Sequence, residues 1–193
     1  MKTLWTLAIS ALATLACAPA VAQSEATLVP AQSELVFQFK QMGVPVEGRF
    51  RKFAAQIAID PKKPESGRVA FQVDTASATI GAAEVDLEMV KPVWFNVAKF
   101  PQASFQSTAI KGLGAGRFDV AGKLTIKGQV RDIAVPVTLT APPPGSAVSS
   151  ASGTFTLKRV DFLIGEKEWA DVSLVANDVQ VRFKLALSGI PAP

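Results

Sequence analysis

Glu84, Asp86 and Glu88 stand two residues apart, and Asp161, Glu166 and Asp171 stand five apart. These are the two carboxylate sets that could do acid–base work or hold a cation. Neither spacing suits that chemistry. Residues i and i+2 lie on different sides of a helix, so the first set reads as solvated surface. The second matches no calcium-loop motif and reads as hydrogen-bonded turn residues. Arg159, at a strand end, is read first as the partner of Asp161 and otherwise as a contact for a polar headgroup. The chain has no His and one Cys, Cys17. No Ser–His or Cys–His catalytic pair can form, and zinc and copper lose their usual ligands. No catalytic residue and no metal site is assigned. An enzyme here would have to work with carboxylates, Lys or Ser alone.

What the chain does have is phenylalanine: 12 Phe and no Tyr. Most of these rings fall in runs of period two, the signature of strands with one dry and one wet face. In the last run, Val179, Val181, Phe183, Leu185 and Leu187 alternate with Gln180, Arg182 and Lys184. Leu35, Phe37 and Phe39 share one face of residues 33–40, and Val69, Phe71 and Val73 share one face of the third run. Phe105 centres a strand over 104–110. Phe118, Val120, Leu124 and Ile126 face one way while Asp119, Lys123 and Lys127 face the other. Residues 46–60 change parity near Arg51-Lys52, which predicts a bulge that bends the strand. Pro136 has no amide proton to give to a ladder, so its strand is an edge or carries a bulge there.

The elements between are less regular. Residues 82–97 repeat apolar positions at spacings of three and four, which predicts one or two helical turns before Pro92. Residues 24–31 read as a lead-in, 111–116 as a glycine-rich loop and 141–152 as a Pro, Gly and Ser loop. About eight one-sided strands joined mostly by hairpin-length turns define an all-β fold, a sandwich or a closed antiparallel barrel. An eight-stranded barrel is filled by its side chains or holds one small ligand.

Residues 1–22 read as a secretory signal peptide: Lys2, a short apolar run, then Ala20-Val21-Ala22 as the cleavage site. A lipoprotein reading at Cys17 would want a bulky aliphatic where Thr14 stands. The apolar run falls short of the ~20 residues needed to span a bilayer. Residues 23–193 then form one domain, exported and free of stable membrane insertion. The net charge of +4 is small, and Lys and Arg alternate with apolar residues rather than clustering as a nucleic-acid footprint would.

Four stretches carry a resemblance. They are Val46-Glu47-Gly48-Arg49-Phe50 with Phe53; Trp94-Phe95-Asn96 through Lys99-Phe100-Pro101 to Phe105; Gly122 to Gly128 running into 133–139; and Phe155 to Phe162 followed by Gly165 to Asp171. In this order they resemble the YceI-like family of periplasmic, lipocalin-like proteins that bind isoprenoid lipids. The resemblance implies an eight-stranded antiparallel barrel, one or two short helices near one mouth, and an apolar tunnel for a polyisoprenoid tail, a quinone or its precursor. Many relatives carry a His before the aromatic motif. Here Glu88 and Met89 stand thereabouts, so no role of that His transfers.

The resemblance and the composition agree. An isoprenoid tail needs a dry channel, and a wall without phenols has no polar atoms to satisfy. The expected ligand-binding residues are Phe37, Phe39, Phe71, Phe105, Phe118 and Phe183 on strands, with Trp94, Phe95 and Trp169 outside regular strands, where a mouth would be. Trp169 could instead be a plug bonded through its indole N–H. The leading reading is a non-enzymatic periplasmic carrier of a long isoprenoid, quinone-like or similar amphiphile. The alternatives are a solidly packed scaffold, which a structure without a continuous cavity would favour, and a lipid-modifying enzyme. A homodimer is left open.

Overall fold

The computed structural model describes residues 25–190; the expected signal peptide and Cys17 lie outside them. Eleven strands join one antiparallel sheet: β1 (Glu25–Leu28), β2 (Glu34–Gln41), β3 (Val44–Phe50), β4 (Phe53–Ala58), β5 (Arg68–Asp74), β6 (Ala78–Thr79), β7 (Gln102–Gly114), β8 (Arg117–Ile126), β9 (Gln129–Thr140), β10 (Val148–Lys158) and β11 (Asp178–Ser188). One α-helix, α1 (Ala83–Met89), sits between β6 and β7.

The sheet closes on itself because β1 pairs with both β4 and β11. Three of its members are bent continuations of a neighbour. β1 and β2 lie along the same flank of β11, interrupted by a 3-10 turn at Pro30–Gln32. β3 runs into β4 through Arg51 and Lys52, where the parity change predicted a bend. β6 continues β5 past a turn at Thr75–Ser77 and meets β3. Read as continuous staves, the wall is the expected eight-stranded antiparallel barrel. A bend in a stave lets one strand serve two neighbours at different heights, and this closes the edge.

Three strand limits differ from the sequence reading. The lead-in contains β1, the short strand that seals the barrel; four residues with Ala26 alone buried give no readable alternation. The glycine-rich segment 111–114 belongs to β7, held by pairing to β8 with register shifts at Ser107/Ala109 and Gly112/Gly114. The loop 141–152 ends early, because β10 begins at Val148 against Ser188. Cross-strand pairing overrides weak local propensity in all three. Pro136 does mark a seam: β9 and β10 pair only over Thr138–Thr140 and Ser150–Ser152, then part.

The interior holds two apolar clusters in one barrel. Ile57, Ile59, Ile110, Leu187 and Ile190 belong to the lower one, and Leu35, Phe37, Met89, Leu124 and Val181 to the upper. Phe53, Phe71, Phe105 and Phe183 pack against both.

Three glycines keep the barrel hollow between them. A Cβ on Gly48 would lie 2.3 Å from the Phe37 ring, one on Gly122 2.5 Å from Phe105, and one on Gly153 2.6 Å from Phe183. Each ring packs over a glycine of the adjoining strand, in space that any larger side chain there would fill. Gly153→Ala would also bring its methyl within 2.3 Å of the Pro136 carbonyl oxygen. This overpacking is expected to cost about 1–3 kcal/mol, or roughly 5 °C in Tm for a chain of this size. Thermal unfolding followed by circular dichroism measures it, and an unchanged Tm would contradict the packing.

Candidate functional site

A cavity of about 470 Å³ lies inside the barrel. All nine residues expected to meet a ligand line it: Phe37, Phe39, Phe71, Phe105, Phe118 and Phe183 from the strands, and Trp94, Phe95 and Trp169 from the upper connections. The inward set of β11, from Val179 to Leu187, lines it at every second residue, as the alternation predicted. The barrel is therefore not packed solid. Apart from the two indoles, the polar side chains on its wall are Gln41, Ser104, Glu88 and Arg159.

The cavity has a closed end and an open one. Ile59, Ile110, Leu187 and Ile190 are buried around the lower end. The lining residues that are exposed are Val85, at 41%, and Glu88, both on α1. The mouth therefore opens beside α1, between the β2–β3 hairpin and the loop after β10. A string of rings leads into it: Phe39 and Phe37 at 6.3 Å, Phe37 and Phe50 at 5.2 Å, Phe50 and Phe95 at 5.9 Å. Across the mouth Trp94 and Trp169 pack at 5.5 Å. Trp169 thus packs against a second indole, and no hydrogen bond of its N–H occurs among the described residues.

Asp86 fixes α1 at the rim. Its carboxylate accepts the Thr79 hydroxyl and, at 2.9 Å, the Ile80 amide. The Thr79 hydroxyl, then the Ile80 amide, hold this carboxyl below its ordinary range. Of the acidic trio, Asp86 is thus structural, while Glu88 forms an exposed ion pair with Lys91. A depressed carboxyl contributes stability above its unfolded value and loses it as pH falls through the folded value. The attachment of α1 is therefore present at neutral pH and lost only under acid conditions. Asp86→Ala should raise amide exchange across 83–89 at least about tenfold relative to the barrel strands. Uniform protection would overturn this role.

The loop from 159 to 177 forms the other lip, and Arg159 organises it. Its guanidinium is 2% exposed and donates to five backbone carbonyls: Nε to Val175 and Ala176, Nη1 to Ile164 and Gly165, Nη2 to Val175 and Asp171. The expected pair with Asp161 does not form. Asp161 instead offers its own carbonyl to Arg131 at 2.7 Å. Carbonyl oxygens of a tight loop can surround a planar fork on all sides, which one carboxylate cannot. Burial lowers the guanidinium's pKa, but from so high a start that it stays charged.

Lys127 is a second correction. The alternation placed it outside with Lys123, yet it is 5% exposed. It occupies a two-residue turn with Gly128, both at positive φ (49° and 76°). That turn reverses the strand and swings the ammonium under the loop, where it donates to the Leu163 carbonyl and to Glu166, each at 2.6 Å. Alternation alone does not show this, because the period of two ends where the strand turns back. With Glu166 so used, and Asp171 accepting from both the hydroxyl and the amide of Ser173, two members of the second acidic set are spent on turn geometry. No cluster of metal-ligating side chains occurs among the described residues.

A closed antiparallel barrel around a dry cavity is the lipocalin-like architecture. The chain belongs to the YceI-like family, whose domain matches residues 27–187. A UPF0312 protein of Vibrio cholerae is 27% identical over 186 residues, covering 93% of this chain and 98% of the relative. The crystal structure of Burkholderia cenocepacia BcnA superposes with a TM-score of 0.78 at 38% identity, covering 82% of this chain and 98% of that one. A polyisoprenoid binding domain from Saccharophagus degradans, implicated in plant cell wall breakdown, shares the fold with a TM-score of 0.69 at 18% identity, over 86% and 99% of the two chains.

Proposed function

We propose that this protein is a non-enzymatic carrier that holds a polyisoprenoid or similar long-chain amphiphile, quinone-like compounds included, inside its barrel. We also propose that it does so in the periplasm, after removal of residues 1–22 as a leader, with 23–193 as the working domain. The observation that carries this reading is the cavity: about 470 Å³ and nearly all apolar. A dry wall cannot bind a polar solute without stranding its hydrogen bonds, but it can take a hydrocarbon chain. A cavity of ~150 Å³ accepts one benzene, so this one has room for roughly three such units, on the order of twenty carbons. The Saccharophagus degradans domain, described as binding polyisoprenoids, supports the ligand class by sharing the fold. The polar groups at the mouth are committed to the protein itself, Arg159 to loop carbonyls and Glu88 to Lys91, which argues against converging acid–base catalysis.

Trp94 and Trp169 are the two tryptophans in residues 23–193, and both line the cavity, so intrinsic fluorescence reports its occupancy. Titration with the isoprenoid alcohol geranylgeraniol is expected to give a saturable change in emission at one ligand per chain. Trp169→Phe should reduce its amplitude by about half while leaving the midpoint within roughly threefold, since a ring still covers the site. No saturable change with the wild type would refute the carrier reading.

A further inference from the structure

We propose that the mouth end of the barrel docks on a lipid bilayer surface, so that ligand passes between membrane and lumen without crossing water. This rests on the carrier reading above and adds the partner. Nine large apolar residues are exposed among the described residues, and all but Leu113 lie at the mouth end. Six of them form three tips around the opening. Met42 and Val44 cap the β2–β3 hairpin, Val85 and Leu87 stand on α1, and Val172 and Leu174 lie in the loop after β10. Met42 and Leu87 are the most open, at 69% and 67%.

The hairpin and loop tips are joined to each other, and all three tips adjoin the cavity. The Met42 amide donates to the Leu174 carbonyl at 2.8 Å, and Gln41 bridges Val175. Gln41, Val85 and Val175 all line the lumen. The apolar surface is thus continuous from the outside into the cavity. Scattered apolar side chains are ordinary, but their segregation to one end of a barrel marks a contact surface. Separate convex tips around an opening are poorly shaped to bury against a flat protein face, yet each can enter the headgroup region of a bilayer by a few ångströms. The charges nearby are mixed, Lys40, Lys91 and Lys167 against Glu84, Glu88 and Glu168. Docking should therefore depend on apolar insertion and not on anionic lipid or low salt.

The test compares two routes of loading, both read by tryptophan fluorescence. In one, geranylgeraniol is dispersed from ethanol; in the other, it is dissolved in vesicles of phosphatidylethanolamine and phosphatidylglycerol. Wild-type loading from vesicles should accelerate with vesicle concentration and be insensitive to salt. Leu87→Glu combined with Leu174→Glu should slow it at least about tenfold while leaving affinity from the dispersion unchanged, because neither side chain lines the lumen. Met42→Glu, on the opposite tip, should slow it independently of α1. A vesicle route unaffected by these substitutions, or independent of vesicle concentration, overturns the proposal. So does a slowing that accompanies loss of a dimer in size-exclusion chromatography, which would put a second copy on this face. Failure of the wild type to load from the dispersion would instead bring down the carrier reading itself.

Discussion

Ala151→Phe should weaken binding of geranylgeraniol at least tenfold and leave the shorter geraniol almost unaffected. Ala151 lies on β10 between Leu139 and Leu185, lines the cavity, and belongs to the lower apolar cluster. A phenyl ring placed there occupies space close to that of the benzene that fills a ~150 Å³ cavity, about a third of the lumen. The far end of a long tail is then excluded. Each carbon kept out forfeits ~0.8 kcal/mol, so two are enough for about tenfold and four for about a hundredfold. A short tail never reaches that depth. Ala103→Phe makes the complementary case. Ala103 opposes Val73 in the upper cluster, near the mouth, so its ring should obstruct both ligands. Both variants add apolar contacts to an existing void, so their Tm should stay within a few degrees of wild type. Competition titrations against the tryptophan signal decide the matter. Equal losses for long and short ligands in Ala151→Phe would mean that tails do not lie along the barrel.

This depth argument is available because the inward faces were legible. The odd-numbered set of β11 and the Phe positions of β2, β5 and β8 follow from period two alone, and all of them reach the lumen. The bend at Arg51-Lys52 and the seam at Pro136 were also written in local chemistry, as a parity change and a missing donor. What the alternation could not convey was whether the interior is filled. That depends on contacts across strands, above all the three rings packed over Gly48, Gly122 and Gly153, which strand register and not alternation brings together. The roles of Arg159 and Lys127 were hidden for a related reason. Arg159 is satisfied by backbone carbonyls of a loop and Lys127 by one such carbonyl beside Glu166, and carbonyls carry no sequence signature.

Arg159→Met should lower stability by about 3–5 kcal/mol, the scale of breaking a buried charged network. In a chain of this length that is on the order of 10 °C in Tm. The substitution removes all five donors at once and leaves the carbonyls of Ile164, Gly165, Val175 and Ala176 to find others, while that of Asp171 keeps the Leu174 and Val175 amides. Several of these are shielded from water, and an orphaned buried acceptor costs about 1–3 kcal/mol. Arg159→Lys should recover little, because an ammonium presents three donors around one point and cannot span a fork-shaped set of acceptors. Thermal unfolding gives the magnitude, and hydrogen exchange gives the location. Protection should fall across 160–177 before it falls in the barrel strands. Because Trp169 and Val175 ride on this loop, ligand affinity should fall with it. A Tm within about 2 °C of wild type would show that the carbonyls do not depend on Arg159.

Native mass spectrometry of the protein mixed with geranylgeraniol tests the central claim most directly. A hollow barrel should retain a single ligand per chain in the gas phase, and Ala103→Phe should abolish that adduct without altering the charge-state distribution of the folded protein. A wild-type spectrum showing only bare protein, or an adduct that survives equally in Ala103→Phe, would contradict the existence of a ligand-holding lumen.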